Sequence, residues 1–207
     1  MTNHTFKTIP GLYLPTFSIP ELEALLESAR HFKIEHMRFT PTSQIAIAGV
    51  DESDFPELIR HLQRFMTKGD DSVTTIIACQ GCGNCKCSYG DANSVAQRIK
   101  ELNFNGSLPA KCKIAIAGCS RCCTMPFVRD IGLIPSTQGW KLIFGGNGGG
   151  KPRIGDIIAE QVQGHELVEL VHKCLHVYRK HGRPKQRTSR FIEEFGVERF
   201  KEEIFKK

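Results

Sequence analysis

Apolar residues fall into two alternating rhythms along the chain. Over residues 20–33, Leu22, Leu25 and Leu26 stand among acids, which predicts an amphipathic helix whose first turn accepts Ile19-Pro20-Glu21. Residues 36–40 and 43–48 read as two short strands joined at Pro41-Thr42. Residues 54–66 return to a helical period, with Phe55, Leu58, Ile59, Leu62 and Phe65 on one face. A polar run, Thr67-Lys68-Gly69-Asp70-Asp71, then separates this part from the rest.

Beyond it, Val73-Thr74-Thr75-Ile76-Ile77-Ala78 and Lys113-Ile114-Ala115-Ile116-Ala117-Gly118 are strand-like, with a helix between them over residues 93–102. Residues 131–134 and 140–144 are two further strands. Gly145 to Lys151, rich in glycine, reads as a flexible loop. Leu167, Val168, Val171, Leu175 and Tyr178 recur at three and four over residues 165–181, and shorter helices are expected over 189–195 and 197–205. Mixed strands and helices make the chain α+β or α/β.

Composition narrows the class. The 207 residues suit one domain or two small ones, and 40% apolar content suffices for a core. No internal repeat is visible. Residues 1–10 hold no apolar leader and no stretch approaches the ~20 residues of a spanning helix, so a cytoplasmic protein with no membrane partner is expected. Nine cysteines is an odd number for a disulfide framework; clustered thiols read better as metal ligands. The net charge of +6 suits an anionic cofactor, an acidic protein donor or nucleic acid. No aromatic platform or helix-turn-helix signature supports nucleic acid.

The cysteines are spaced Cys79-x5-Cys85 and Cys119-x3-Cys123, each pair just after a strand-like run. Two such loops at one end of a sheet can converge on a [4Fe–4S] cluster, which needs four thiolates. The same residues contain Cys79-x2-Cys82 and Cys119-x2-Cys122, a zinc-like pattern, although residues 83–118 make an unusually long gap between its halves. A ferredoxin run C-x2-C-x2-C-x3-C-P fails, because Tyr89 stands where its fourth cysteine would be.

Ala78-Cys79-Gln80-Gly81-Cys82-Gly83-Asn84-Cys85 and Gly118-Cys119-Ser120-Arg121-Cys122-Cys123 resemble the cluster motifs of the siroheme-dependent sulfite and nitrite reductases. Met37-Arg38-Phe39-Thr40 resembles the family's Arg-x-Thr segment. Asp130-Ile131-Gly132-Leu133-Ile134 and Phe144-Gly145-Gly146-Asn147 resemble segments that follow the second cysteine pair. The resemblance spans roughly residues 7–204, one copy of a unit that larger members carry twice. It implies an α+β fold: a ferredoxin-like half-domain over residues 1–69, then an α/β [4Fe–4S]-siroheme domain over 70–207 closed by C-terminal helices.

The resemblance also implies a set of site residues. Cys79, Cys85, Cys119 and Cys123 would hold the cluster, with Cys123 bridging to siroheme and helix N-termini after each pair stabilising the anionic cluster. Arg38, Lys185, Arg187 and Arg190 would handle the substrate. Arg38, Thr40, Arg121, Arg129, Gly145, Gly146, Asn147, Lys151 and Arg153 would line the macrocycle. Cys82, Cys87, Cys112, Cys122 and Cys174 are left over; Cys82 and Cys122 would pack, tune the cluster or bind a second metal, packing being favoured, and Cys174, within a helix, is expected in the core. The implied reaction is six-electron reduction of sulfite to sulfide or nitrite to ammonia, fed by a low-potential electron donor protein. A single repeat leaves one side of the macrocycle to be covered, which a homo-oligomer would do. A siroheme-free iron–sulfur electron carrier or redox sensor and a zinc-stabilised binding module remain as alternatives.

Overall fold

A computed structural model describes residues 5–13, 18–40, 44–62, 73–81, 85–102 and 106–206. The chain divides into two compact units, Met1–Lys68 and Gly69–Lys207.

In the first unit, β1 (Lys7–Tyr13), β2 (His36–Phe39) and β3 (Gln44–Ala48) form an antiparallel sheet of order β1-β3-β2. Helices α1 (Ile19–His31) and α2 (Phe55–Leu62) complete it. α1 starts where Ser18 and Glu21 form a reciprocal capping box: the Ser18 amide donates to Glu21 at 2.8 Å and the Ser18 hydroxyl accepts the Glu21 amide. Ile9, Leu25, Phe32, Ile45, Ile47, Leu58 and Leu62 form the core. Both predicted helices and the β2–β3 pair are present; residues 63–66 of the expected second helix lie outside the described residues. β1 was not expected, because Pro10 and Gly11 interrupt its pattern.

The second unit is a five-stranded mixed sheet of order β4-β5-β6-β7-β8. β4 (Val73–Ala78), β5 (Cys112–Ile116) and β6 (Ile131–Ser136) are parallel; β7 (Gly139–Phe144) and β8 (Asp156–Val162) continue antiparallel. Period-two alternation assigns each face. Ile114, Ile116, Ile131, Leu133, Leu142 and Phe144 enter the large core with α3 (Ala92–Lys100), α4 (Gly164–His181), α5 (Thr188–Phe195) and α6 (Val197–Phe205). Ala117, Ile134 and Ile143 gather in a second cluster, with Cys122 and Phe127 against them. The large core centres on Phe144, which stacks on Phe200 at 4.4 Å and meets Tyr178 and Phe191 edge-on. β8, also unexpected, is an edge strand whose Ile158 and Val162 are buried among exposed neighbours.

Parallel β5 and β6 require the chain to return the length of the sheet between them. The returning segment ends in a 3₁₀ turn, Pro126–Val128, pressed against β6. A Cβ on Gly132 would lie 2.2 Å from the Pro126 carbonyl oxygen. This segment therefore covers β6 at a distance only glycine permits.

Phe144→Ala should destabilise the second unit by about 3–5 kcal/mol, the range for emptying a buried aromatic site. Urea unfolding followed by far-ultraviolet circular dichroism measures it; a loss below about 1 kcal/mol would contradict the central role given to this ring.

Candidate metal and cofactor centre

The first thiol leaves the sheet at the end of β4. The Cys79 amide donates to the Ile116 carbonyl at 2.9 Å, which extends the β4–β5 ladder by one bond. On the neighbouring strand, Gly118 accepts the amides of Tyr89 and Gly90 at 3.0 and 3.1 Å and the Ser88 hydroxyl at 3.0 Å. Cys85 is tied into the same loop by the Ser88 amide at 3.0 Å. The two cysteine loops are thus laced together at the C-terminal end of the parallel strands. The position of a Cβ on Gly118 lies 3.4 Å from Cys79 Sγ.

The second loop turns tightly. The Cys122 amide donates to Cys119 at 3.2 Å and the Met125 amide to Cys122 at 2.8 Å. Cys122 and Met125 both adopt positive φ, 53° and 55°, which is uncommon for residues with a side chain. The turn separates adjacent thiols. Cys122 packs on the Ala117, Ile134 and Ile143 cluster, and burial, reinforced by Cys119 and Cys123, raises its pKa. Cys123 is exposed, whereas Cys119 is buried. A half-buried thiol with a raised pKa ionises more reluctantly than an exposed one.

The eight described cysteines are all free thiols; Cys82 lies outside the described residues. Among the described residues no three His, Cys, Asp or Glu side chains converge as they would on a single metal ion. The donor set fits a larger group. Six described thiols, Cys79, Cys85, Cys87, Cys119, Cys122 and Cys123, stand on two laced loops, more than the four a cluster needs, and Thr124, next to Cys123, has a buried hydroxyl oxygen with no hydrogen-bond partner. A [4Fe–4S] cluster takes four thiolates and tolerates neighbouring hydroxyl donors.

Helix placement differs from expectation. α3 begins seven residues after Cys85, and its N-terminus is capped internally, Asp91 accepting the Ser94 amide at 3.0 Å. The second pair is followed only by the 3₁₀ turn. Neither pair leads directly into an α-helix, so backbone turns, not helix dipoles, surround these thiols.

The basic and glycine residues separate into two kinds. Arg153 is an internal brace: it donates to Glu193 at 3.1 Å, Asp156 at 2.7 Å, and the Gly145 and Ile154 carbonyls at 3.0 and 3.2 Å. Asn147 closes its own turn, donating to Lys151 at 2.6 Å and accepting from Gly149 at 3.2 Å, while its backbone bridges to Arg153. The glycine segment is thus a braced turn, not the flexible loop expected. A Cβ at Gly145 or Gly146 would come within 2.5 Å of Ile192 or of the Arg129 and Phe127 carbonyls. Protein packing alone requires glycine at both. Thr40 likewise closes the β2–β3 hairpin, exchanging bonds with Gln44.

Arg121, Lys151, Lys185 and Arg190 are exposed. Arg38 is an exposed residue of β2 with its guanidinium 4.0 Å over the Phe6 ring. Arg38 and Thr40 belong to the first unit, and all the other named residues to the second. Arg187 is engaged by Asp130, a carboxylate only 1% exposed, at 2.7 Å. Sequence reading did not single out Asp130 as the partner of this arginine. Its signal was an acid opening a strand in a chain whose basic segment 179–190 contains no acid of its own.

The model of the nitrite and sulphite reductase 4Fe-4S domain matches residues 69–207. An assimilatory-type sulfite reductase of Nitratidesulfovibrio vulgaris is 28% identical over 97% of this chain and 92% of its own length. A nitrite reductase [NAD(P)H] of Bacillus subtilis is also 28% identical, over 93% of this chain but only 24% of its own. Dissimilatory sulfite reductase I shares the fold, with a TM-score of 0.81 at 10% identity over 98% of this chain and 69% of its own.

Gly132→Ala should displace the segment that carries Cys119 and Cys123, because the new methyl meets backbone and not a yielding side chain. Purified under reducing, anaerobic conditions, the variant should hold less than about half the iron of the wild type while keeping its helical circular dichroism. Full iron content would show that the crossover can shift without disturbing the thiols.

Proposed function

The chain belongs to the nitrite and sulphite reductase 4Fe-4S domain family, and from that premise we propose that it is a siroheme-[4Fe–4S] oxidoreductase that reduces sulfite to sulfide. The observation that carries this reading is the lacing of two cysteine loops at one sheet end, with Cys123 exposed and Cys122 half-buried against an apolar cluster. Sulfite is favoured over nitrite because the assimilatory-type sulfite reductase matches nearly end to end, whereas the Bacillus nitrite reductase is about four times the matched length.

In this reading Cys79, Cys85, Cys119 and Cys123 are the cluster ligands, and Cys123 also faces the macrocycle. Siroheme and the cluster, when bound, supply an open iron coordination position and the electrons. The protein supplies binding, orientation and charge. Arg38, Arg187 and Arg190, with Lys185, Arg121, Arg129 and Lys151, provide cationic groups for macrocycle carboxylates and the substrate's oxygens. Guanidinium suits this work because it stays charged and presents a planar fork to an oxyanion. Such groups neutralise charge as the anion gathers electrons, and hydrogen bonds from them lead protons toward oxygens that depart as water. Arg153, Asn147 and Thr40 instead brace the backbone around the site.

The first unit serves as the ferredoxin-like half-domain and the second as the cluster and macrocycle domain. No described helix is long and apolar enough to cross a membrane. Free thiols suit a reducing compartment, so we place the protein in the cytoplasm, served by a low-potential donor protein. A second copy of the chain would cover the open side of the macrocycle. Light scattering on holo-protein should then give about twice the 23.2 kDa chain mass; a fully active monomer would show that one chain encloses the site.

Visible absorption tests the cofactor reading directly. Holo-protein should show a Soret band and long-wavelength siroheme bands over a broad iron–sulfur shoulder. A shoulder alone would make it an electron carrier, and no visible absorption would favour zinc.

Serine at Cys79, Cys85, Cys119 or Cys123 should abolish the four-iron cluster or, at Cys123, uncouple it from siroheme. Cys82→Ser and Cys122→Ser should each retain four irons per chain. Iron lost from the second group and kept in the first would reverse the ligand assignment.

Arg38→Ala should raise the KM for sulfite or weaken siroheme retention by about tenfold, with no change in melting temperature. Steady-state kinetics and absorbance after gel filtration read the two effects. Wild-type values for both would remove Arg38 from the site.

A further inference from the structure

The buried carboxylate of Asp130 joins three segments that are far apart in sequence. It accepts the backbone amide of Lys113 at 2.9 Å, Arg187 Nη2 on both oxygens at 2.7 and 3.0 Å, and the Thr188 hydroxyl. The Asp130 carbonyl also accepts the Gly145 amide at 2.9 Å. One residue therefore ties β5, the glycine turn and the start of α5 together.

The charges around it do not balance. The Lys113 ammonium feels three other cations, Arg187, Arg129 and Lys111, against the one carboxylate of Asp130. Lys113 is held below the ordinary lysine range, chiefly by burial and then by Arg187 and Arg129, so the cations feel one another. Nε of Arg129 and Nε of Arg187 are both buried with no hydrogen-bond partner. Among the described residues, Arg129 makes no side-chain hydrogen bond or ion pair, and Arg187 makes its bonds to Asp130 alone. Buried guanidinium N–H groups left unpaired are costly, and the cost is removed by an oxyanion that accepts from them.

Topology places this cluster. Asp130 precedes β6 and Lys113 lies near the start of β5, whereas Cys79 and Cys119 follow the ends of β4 and β5. At ~3.3 Å per residue the two ends of β5 are roughly 15 Å apart. Cys123 sits on the returning segment between them. A ligand that starts at Cys123 and reaches the cations must be broad and carry its negative charge on its rim.

We propose that Asp130 is a positioning residue, which by gripping one part of the Arg187 guanidinium holds Arg187 and Arg129 as a preset pair for one oxyanion, a carboxylate on the rim of the macrocycle. This inference rests on the cofactor reading above and extends it. Lys113 adds charge to the pair, and Thr188 fixes where α5 begins. The substrate's own oxyanion has the same chemistry and is the other source the test separates.

Asp130→Asn preserves size and an acceptor for the Lys113 amide but removes the charge that grips Arg187. Siroheme titrated into the cluster-loaded full chain, followed at the Soret band, should bind about tenfold more weakly than to wild type, with iron per chain unchanged. In the loaded variant the dissociation constant for sulfite, read from its optical shift, should hold. If siroheme affinity holds and sulfite binding weakens tenfold, Asp130 positions the pair for the substrate's oxyanion and the rim assignment is overturned. The double variant with Arg187→Gln should be no weaker than Arg187→Gln alone, since the carboxylate acts through that arginine; independent, multiplying losses would reduce Asp130 to a structural residue. Should Asp130→Asn fail to fold, Arg187→Gln, which leaves the Thr188 and Lys113 bonds in place, is read in the same titrations. Wild-type constants in every variant overturn the proposal. A wild-type protein with no Soret band overturns the cofactor reading itself, which is a separate result.

Discussion

The return of the chain from β5 to β6 is the constraint on which the rest of this molecule depends. Parallel strands force the polypeptide back along the sheet, and here the way back is an extended turn-rich segment instead of a helix. It lies so close to β6 that Gly132 has no room for a side chain. That closeness fixes Cys119 and Cys123 relative to Cys79 on the neighbouring strand. Helices α3 to α6 bury the other side of the sheet.

The two faces have different physical characters. The helical face is a continuous apolar core organised around Phe144, Tyr178, Phe191 and Phe200. The crossover side holds a small apolar patch, free thiols and a buried hydroxyl. Burial of aromatic surface gives the unit its stability, which in turn allows polar groups on the other face to remain unsatisfied until a cofactor is bound. Stability and chemistry are thus divided between two sides of one sheet. Asp130 links them, since its bonds to Thr188 and Arg187 anchor the helical layer to the strand ends.

Much was legible in the residue pattern because short-range physics decides it. The amphipathic spacing of α1 and α4 and the apolar runs of β4 and β5 declare themselves in any window of about ten residues. The cysteine spacings with their flanking residues were enough to recognise the family that the domain model confirms. β1 and β8 escaped because a proline and an edge position blur the alternation that marks a strand. The expected helix N-termini after the cysteines failed for a related reason: spacing says when a helix follows, not whether a turn with positive φ intervenes.

The sequence by itself determined most of the elements, the class of fold, the family and the kind of ligand, since each follows from local periodicity or from residue types at short, characteristic spacings. Which arginine braces a turn and which stands unpaired was decided only by tertiary structure. Arg153 and Arg129 look alike in the chain, yet the first is surrounded by Asp156, Glu193 and two carbonyls and the second by none. Cys122 and Cys123 are adjacent, yet one packs on an apolar patch and the other faces outward because of a single left-handed residue. Asp130 and Arg187 are 57 positions apart and meet only because the sheet and α5 bring them together. Electrostatic pairing falls steeply with separation and desolvation depends on what encloses a group, so neither can be read until distant segments have been packed.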